Sequence, residues 1–568
     1  MGRIRMMILV VLLLLTGLSV CKPDDRVVPA DEVLAAIKAG GPADFDQCTI
    51  VGDLDLSDLE INESVHFNHT IFRNKANFDH ATFNGDAYFV GAAFNGTDLW
   101  DLTFNDSVIS MRLNIDRNAD FRRATFNGIA YFENAEFNNN ADFDGAKFNG
   151  ADFLGVRFND YASFLDVGFN RAAYFDNANF NRLAIFENVS FNGYASFRST
   201  RFKDGVFFSQ STLNGTANFQ NTSFNQRAYF INATFDRTAD FEESDFNRDA
   251  DFRNVTFNGT ANFGDCFNGD VDFRYAIFND AANFDNSSFK STANFQSADF
   301  KGYAHFGSVR FNGNVAFMNT HFNISDFAAS QFNKEVHLED SLFSRKANFN
   351  NTLFRGDVLF ENATFLEDLS LTRARYDKLF IRWHSIQGGL VYDDTAYMSL
   401  MKNFKDLGYY EDYDSCYFAY RNAHRAEDDW PSVPNWEEAI RKCIEYPMEW
   451  FYGYGTKPFN AFFFSLGIVM IFALFWWRVG LGGPKDKTPE SLKEGEEWLD
   501  GDITDILGFS VTVFLSGTKF FIDPPAMPRI EGRSRSMIKK AFILERVLGA
   551  LFSVLFFIAI SGTIVRGS

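Results

Sequence analysis

Residues 119–153 read ADFRRATFNGI, AYFENAEFNNN, ADFDGAKFNG, ADF. Phe falls at 121, 126, 132, 137, 143, 148 and 153, at intervals that alternate five and six, so the full period is usually eleven. A small residue, mostly Ala, stands two before most of these Phe. The second Phe of each pair is usually followed by Asn, often Asn-Gly. The same texture runs from His66 to Phe365. A fixed period over so long a stretch is the mark of a repeat architecture and is read before any single residue.

Neither a period of two nor one of 3.6 places Phe every five or six residues. A chain that turns a corner about every five residues does. Alternate residues of an extended segment share a face, so Ala and the Phe two later point inward together. Ala is small because another side chain stacks beside it near the axis. Phe fills the remaining interior and stacks on the Phe of the coils above and below. The residues between face water, and they are Asp, Asn, Arg, Glu, Ser and Thr. Gly or Asn is expected to supply the positive φ of tight corners.

These residues resemble the motif of the pentapeptide-repeat family: a small residue, any residue, Phe or Leu, then two more. The resemblance covers about 300 residues. It implies an all-β solenoid, a right-handed square β-helix with four sides per coil. The departure is one extra residue at every second corner, expected at Asn-Gly corners such as Asn127-Gly128-Ile129, giving about 22 residues per coil. Some fourteen coils spaced about 4.8 Å apart make a rod of roughly 65 Å. Val108–Ile115 lacks Phe, and Phe263-Gly-Asp-Cys-Phe267 is short by one, so both are expected to be bulged or irregular.

The chain has 568 residues and 71 Phe, most of them in the repeat. The Phe count therefore reports a stacked core. The formal net charge is -21, which argues against a nucleic-acid partner held through its phosphates. Between residues 66 and 365 stand 36 Asp+Glu and 25 Lys+Arg, net -11. That is a solvated outer face, or an acidic docking face. Acidic rods of this family can resemble B-DNA in size and charge, so an acidic decoy for a DNA-handling enzyme is a third, minor reading. Sequons such as Asn95-Gly-Thr, Asn188-Val-Ser, Asn232-Ala-Thr and Asn362-Ala-Thr follow in part from the repeat's own texture, and on an exported rod some are open to glycosylation.

Met1–Val20 places Arg3 and Arg5 before an apolar run, then turns polar at Lys22-Pro-Asp-Asp. This reads as a signal peptide over 1–21, or an uncleaved anchor of the same orientation. Leu18-Ser-Val-Cys21 resembles a lipoprotein box, with Val20 where a small residue is expected. Residues 22–48 carry a cap helix, Asp31–Gly41, with Asp31 as its N-terminal acceptor and Gly40-Gly41 as its stop. The β-helix is assigned to 49–365. Residues 366–457 read as a helical capping and juxtamembrane region, with helical spacing over Leu400–Arg425 and a turn at Gly453–Gly455. Cys416 and Cys443 are a candidate pair in an oxidising compartment, and two buried thiols are the other reading. No Cys/His spacing resembles a zinc site.

Residues 458–568 form a two-span membrane domain. Pro458–Trp477 has no charge for twenty residues, enough to cross a bilayer. Val547–Val565 is the second span. Between them Ile506–Thr518 is apolar but too short to cross, so it is re-entrant or lies in the interface. Two spans around a short apolar hairpin resemble the pore module of potassium-type channels, which places Ser516, Gly517, Thr518 and Lys519 at the filter position. The two-glycine filter is absent, and Lys519 would repel cations. Lys and Arg crowd the loop 479–546, and only Arg566 follows the second span, so the loop reads as cytoplasmic and the rod as extracytoplasmic.

The expectation is a non-enzymatic scaffold or docking rod in the cell membrane. Its expected partners are the lipid bilayer, a protein on the rod surface and a second copy of the chain, with no nucleic acid. No catalytic residue, cofactor or metal ligand is expected. The alternative is an ion channel of degenerate selectivity.

Overall fold

The computed structural model describes residues 26–41, 43–264, 266–427, 446, 448–479, 481, 502–518, 522–527 and 534–566. The signal-peptide reading, Lys519, Cys443 and most of the basic loop lie outside the described residues. Two compact units divide the chain, Met1–Asp393 and Asp394–Ser568.

The first unit is the expected solenoid. Each short strand pairs in parallel with the strand one turn later, as Ala119 with Ala141 and Glu136 with Arg157. Two 16-stranded sheets and one 27-stranded sheet carry the sides, and the parallel ladders fit a square β-helix. There are about sixteen turns rather than fourteen, because ladder strands begin at Arg26–Pro29 and continue to Leu379–Phe380, past Phe365 at the expected end. Fifteen steps between sixteen strands make a stack of roughly 70 Å.

Four Phe columns fill the interior. Phe121, Phe143, Phe164, Phe186 and Phe208 follow one another at centroid separations of 4.8–4.9 Å, nearly parallel. Neighbouring columns meet edge to face, as Phe164 does with Phe175 at 5.5 Å and 89°. Both arrangements suit the ring quadrupole. Small residues at the corners let the columns close up, and Ala173, Ala178 and Ala184 are fully buried.

The corners depart from expectation in an informative way. The left-handed residues are not at Asn-Gly. They sit two after the first Phe of each pair, whatever residue stands there: Arg123 (φ 61°), Asn134 (57°), Glu243 (61°), Tyr275 (60°) and Ala329 (58°). The turn closes on itself, with Ala124 N–H donating to the Phe121 carbonyl at 3.1 Å. At some of the other corners crowding leaves room only for Gly. A Cβ on Gly128 would stand 2.4 Å from the Asp106 carbonyl carbon, and one on Gly215 would stand 2.1 Å from the Gly193 oxygen. The Asn before it stacks instead. Asn127 Nδ2 donates to Asn105 Oδ1 at 2.9 Å, and Asn105 Nδ2 to Asn84 Oδ1 at 2.7 Å.

At two coils that lack the extra corner residue, the preceding coil bulges. Phe126 and Ile129 face Phe148 and Gly150, and Phe300 and Tyr303 face Phe322 and Ile324. Val108–Ile115, by contrast, is in regular register with the coils on both sides. Its missing Phe leaves a cavity of about 20 Å³ beside Phe89, Leu99, Ser110, Phe121 and Phe132. The strand Cys266–Phe267 also pairs in register. The irregular corner before it includes Asp265, which lies outside the described residues.

Both ends are covered. Helix α1 (Ala30–Lys38) packs on the first strands through Val33 and Ile37. Its N-cap is Pro29 with no side-chain acceptor, so Asp31 lies inside the first turn and does not cap it. Gly40 ends the helix at φ 71°. A short helix, α2 (Trp383–Ile386), packs on Thr364–Phe365 with Trp383 and Ile386 buried.

The second unit holds α3 (Asp394–Asp406), α4 (Tyr410–Glu427), α5 (Pro458–Val479), α6 (Ile503–Leu515) and α7 (Arg535–Arg566). The expected helices of 400–425 are therefore α3 and α4, which pack together. Cys416 is buried between them as a free thiol, and burial pushes it up to about 12.

Candidate functional site

The sequence placed its candidate site in the apolar segment between two spans, and three helices meet there. Helix α5 begins after a left-handed turn. Gly453 (φ 59°), Tyr454 (54°) and Gly455 (91°) follow in succession, a conformation that L residues with side chains avoid. Tyr454 is held there by α4: Arg425 Nη1 donates to its hydroxyl at 3.1 Å, and the Arg421 guanidinium lies 5.1 Å from its ring. Arg425 also pairs with Glu449 at 2.6 Å.

Helix α6 is one helix rather than a hairpin, and it packs against both α5 and α7. Ile506, Phe509 and Val513 form an apolar cluster with Ala473, Trp476, Ile538 and Phe542. On its other side Phe514 meets Val469 and Phe552. Glycine sets the closeness of the α6–α7 crossing. A Cβ on Gly549 would stand 1.9 Å from the Phe514 oxygen, and one on Gly517 would stand 2.1 Å from the Arg546 oxygen. Small residues let helix backbones approach in this way.

Of the four residues expected at the filter position, three are described and sit beside this packing. Ser516–Thr518 form a single 3₁₀ turn. Ser516 is fully buried and donates to the Val513 carbonyl at 2.8 Å. Gly517 lies against the backbone of α7. Lys519 lies outside the described residues.

One residue in this site was missed from sequence. Helix α7 starts at Arg535, twelve residues before the expected span at Val547, and carries Glu545 into the packed region. Glu545 is fully buried. Trp476 Nε1 donates to its Oε2 at 2.8 Å, and the Ser510 hydroxyl donates to its Oε1 and also approaches the Val469 carbonyl at 3.0 Å. One carboxylate on α7 thus ties α5 and α6. The available signal was an acid set between Ile543-Leu544 and Val547-Leu548.

Two helices are long and apolar enough to cross a membrane by length and composition, over Phe459–Val479 and Arg535–Ile558. Their outer faces are open: Phe459 is 70% exposed and Ile471 68% on the first, and Val547 58% and Ile558 54% on the second.

On the rod, acidic residues align up one side. Asp98, Asp120 and Asp142 occupy successive rungs. Arg122 pairs with Asp120 at 2.5 Å and reaches Asp142 at 3.8 Å. Burial, with the charges of Asp144 and Asp120, pushes Asp142 up to about 6. No group of three or more His, Cys, Asp or Glu among the described residues is suited to hold a metal ion.

The family profile described as pentapeptide repeats matches residues 67–109, 114–157, 175–223, 197–244, 219–266 and 267–310, in nine copies. With the ladders and Phe columns above, this makes the solenoid a pentapeptide-repeat domain. No curated protein and no solved structure matches the chain.

Proposed function

We propose that this chain is a membrane-anchored scaffold, in which α5 and α7 cross the bilayer and the pentapeptide rod is presented on the extracytoplasmic side to a protein partner. The observation that carries this reading is the open apolar face of α5 and α7. Exposed apolar patches of that kind mark membrane or protein contact, and helices of 22 and 32 residues satisfy their backbone internally, as a lipid environment demands. The basic run before the apolar N-terminal segment and the Lys/Arg-rich loop support the sidedness. The rod's interior is filled by stacked Phe and small residues, so recognition belongs to its outer side chains. Alkaline extraction of membranes carrying the full chain tests the anchor: retention in the pellet is expected, and release into the supernatant overturns it.

A second reading, an ion channel of degenerate selectivity, draws on α6, a short apolar helix held between two spans. Planar-bilayer conductance that changes on Lys519 or Ser516 substitution would favour it. A silent record from a folded oligomer counts against it.

A further inference from the structure

The repeat supplies its own baseline, and three successive rungs depart from it. In the outward column that precedes Leu213, Phe235 and Phe257, Thr212, Thr234 and Thr256 stand one above another. In the outward column that follows those rings stand Asn214, Asn258, Asn279 and Asn323. Further along the rod Asp299 and His321 take successive places in the first column. Ser344 takes the place of Asn in the second, with its N–H donating to the Phe322 carbonyl as that of Asn279 does to Phe257.

The three side chains are bonded in a line across these rungs. His321 Nδ1 stands 2.7 Å from Asp299 Oδ1, and His321 Nε2 stands 2.9 Å from Ser344 Oγ. A carboxylate only accepts, so the neutral ring carries its proton on Nδ1. Nε2 is then the acceptor for the Ser344 hydroxyl. Lys301 Nζ lies 3.9 Å from the other oxygen of Asp299. The line is open to a ligand: the His321 side chain is 37% exposed, Asp299 is 33% exposed and Ser344 is half-buried. A hydroxyl bonded to an imidazole, which is itself oriented by a carboxylate, is the arrangement that turns serine into a nucleophile.

We propose that Ser344 is a nucleophile for acyl transfer, with His321 as its general base and Asp299 as the residue that positions the ring, and that its substrates are aryl esters of apolar acids. Ser344 Oγ attacks the ester carbonyl while His321 Nε2 takes the hydroxyl proton. The bond from the acyl carbon to the aryl oxygen breaks, the leaving phenol takes the proton from His321, and an acyl-serine remains. Water then attacks the acyl carbon, His321 takes its proton and returns it to Ser344, and the acid is released. The apolar acyl group is suggested by the flanking residues. Leu342 lies two before Ser344 on the same face, and Leu366, 63% exposed, lies one rung later. The need for a good leaving group follows from the backbone. The N–H groups of Ser344 and Arg345 donate to the Phe322 and Asn323 carbonyls at 2.8 and 2.9 Å, so the developing oxyanion is left to the exposed Arg345 guanidinium. A donor that is not held in place stabilises that charge less than a preorganised one. The inference does not depend on the side of the membrane on which the rod stands.

The test uses the full chain in detergent, treated with a fluorophosphonate probe and mapped by peptide mass spectrometry, with hydrolysis of p-nitrophenyl butyrate followed in parallel. Circular dichroism confirms that each variant keeps the folded rod. The probe is expected on Ser344. Ser344→Ala should take no probe there and should hydrolyse the ester no faster than buffer. His321→Gln should lower kcat by about 100-fold, the scale of a lost general base. Asp299→Asn should lower kcat with KM unchanged, a split that a residue serving only the fold would not produce. A folded parent that leaves Ser344 unlabelled overturns the inference. So does hydrolysis that survives Ser344→Ala, or labelling of Ser344 that is as fast in His321→Gln as in the parent. An Asp299→Asn variant with the parent's kcat overturns the positioning role.

Discussion

The Thr200 hydroxyl donates to the carbonyl of Phe175, one coil earlier, at 2.6 Å. The contact recurs through the rod at the small inward position that follows each left-handed turn. Thr222 donates to Phe197, Ser244 to Phe219 and Thr352 to Phe327, at 2.6–2.8 Å. A buried hydroxyl is costly unless satisfied, and here each one stitches two coils together from the inside. Thr200→Val keeps the volume and leaves the Phe175 carbonyl its turn hydrogen bond from Ala178. The expected loss is about 1 kcal/mol, seen as a lower urea midpoint. An unchanged midpoint would show that the stitch contributes nothing.

Glycine at the alternate corners answers to crowding. Gly215→Ala drives a methyl into the Gly193 backbone. It should cost more than about 2 kcal/mol, in the range of overpacking and backbone displacement. Gly168 has nothing within 4 Å of an added Cβ, so Gly168→Ala should leave the thermal midpoint unmoved or slightly raised. Equal effects from the two substitutions would contradict this account of the corners.

The left-handed corners carry the opposite signature. Ala329 stands at φ 58° with a Cβ that this region disfavours. Ala329→Gly is expected to stabilise the rod by roughly 0.5–1 kcal/mol, read as a raised thermal midpoint. A lowered midpoint would locate the strain elsewhere.

Asp142 lies one rung from Asp120 and is pushed up to about 6 by burial and by neighbouring carboxylates. The folded chain therefore binds its proton more tightly than the unfolded chain, whose ordinary value is near 3.9. Stability contributed at low pH is lost as pH rises from about 4 to about 6. Solvent screening reduces the effect to the order of 1 kcal/mol. Asp142→Asn should flatten that slope and leave the rod more stable than the parent at pH 7. Denaturant midpoints taken from pH 4 to 7 for both proteins decide it, and parallel curves would remove Asp142 as the cause.

Glu545 holds α5 and α6 to α7 through Trp476 and Ser510. Glu545→Ala orphans the Trp476 N–H, at about 1–3 kcal/mol, and should lower the unfolding midpoint in detergent. Trp476→Phe in the same background should recover part of that loss, because the orphaned donor is then gone. Purely additive effects would show that the two residues are uncoupled.

The solenoid was legible because its interior admits one geometry. Phe and Ala at five and six residues specify inward positions whatever stands between them. Asn was misread because two different jobs use it. Asn134 sits at a left-handed corner, whereas Asn127 passes a hydrogen bond up a ladder, and one-dimensional spacing does not separate them. Left-handed corners filled by Arg123 or Tyr275 give no compositional signal at all. Glu545 was hidden because an acid beside a span reads as its edge, and only packing shows it facing inward. Sidedness has no counterpart in the packing and rests on the charge pattern alone.

The most direct test is protease treatment of intact cells that carry the full chain, followed by the fate of the rod and of the apolar helices. The account predicts that cleavage frees the pentapeptide rod while a fragment containing α5–α7 stays in the membrane. A rod that is protected until the cells are opened, or a chain that leaves the membrane whole, would contradict it.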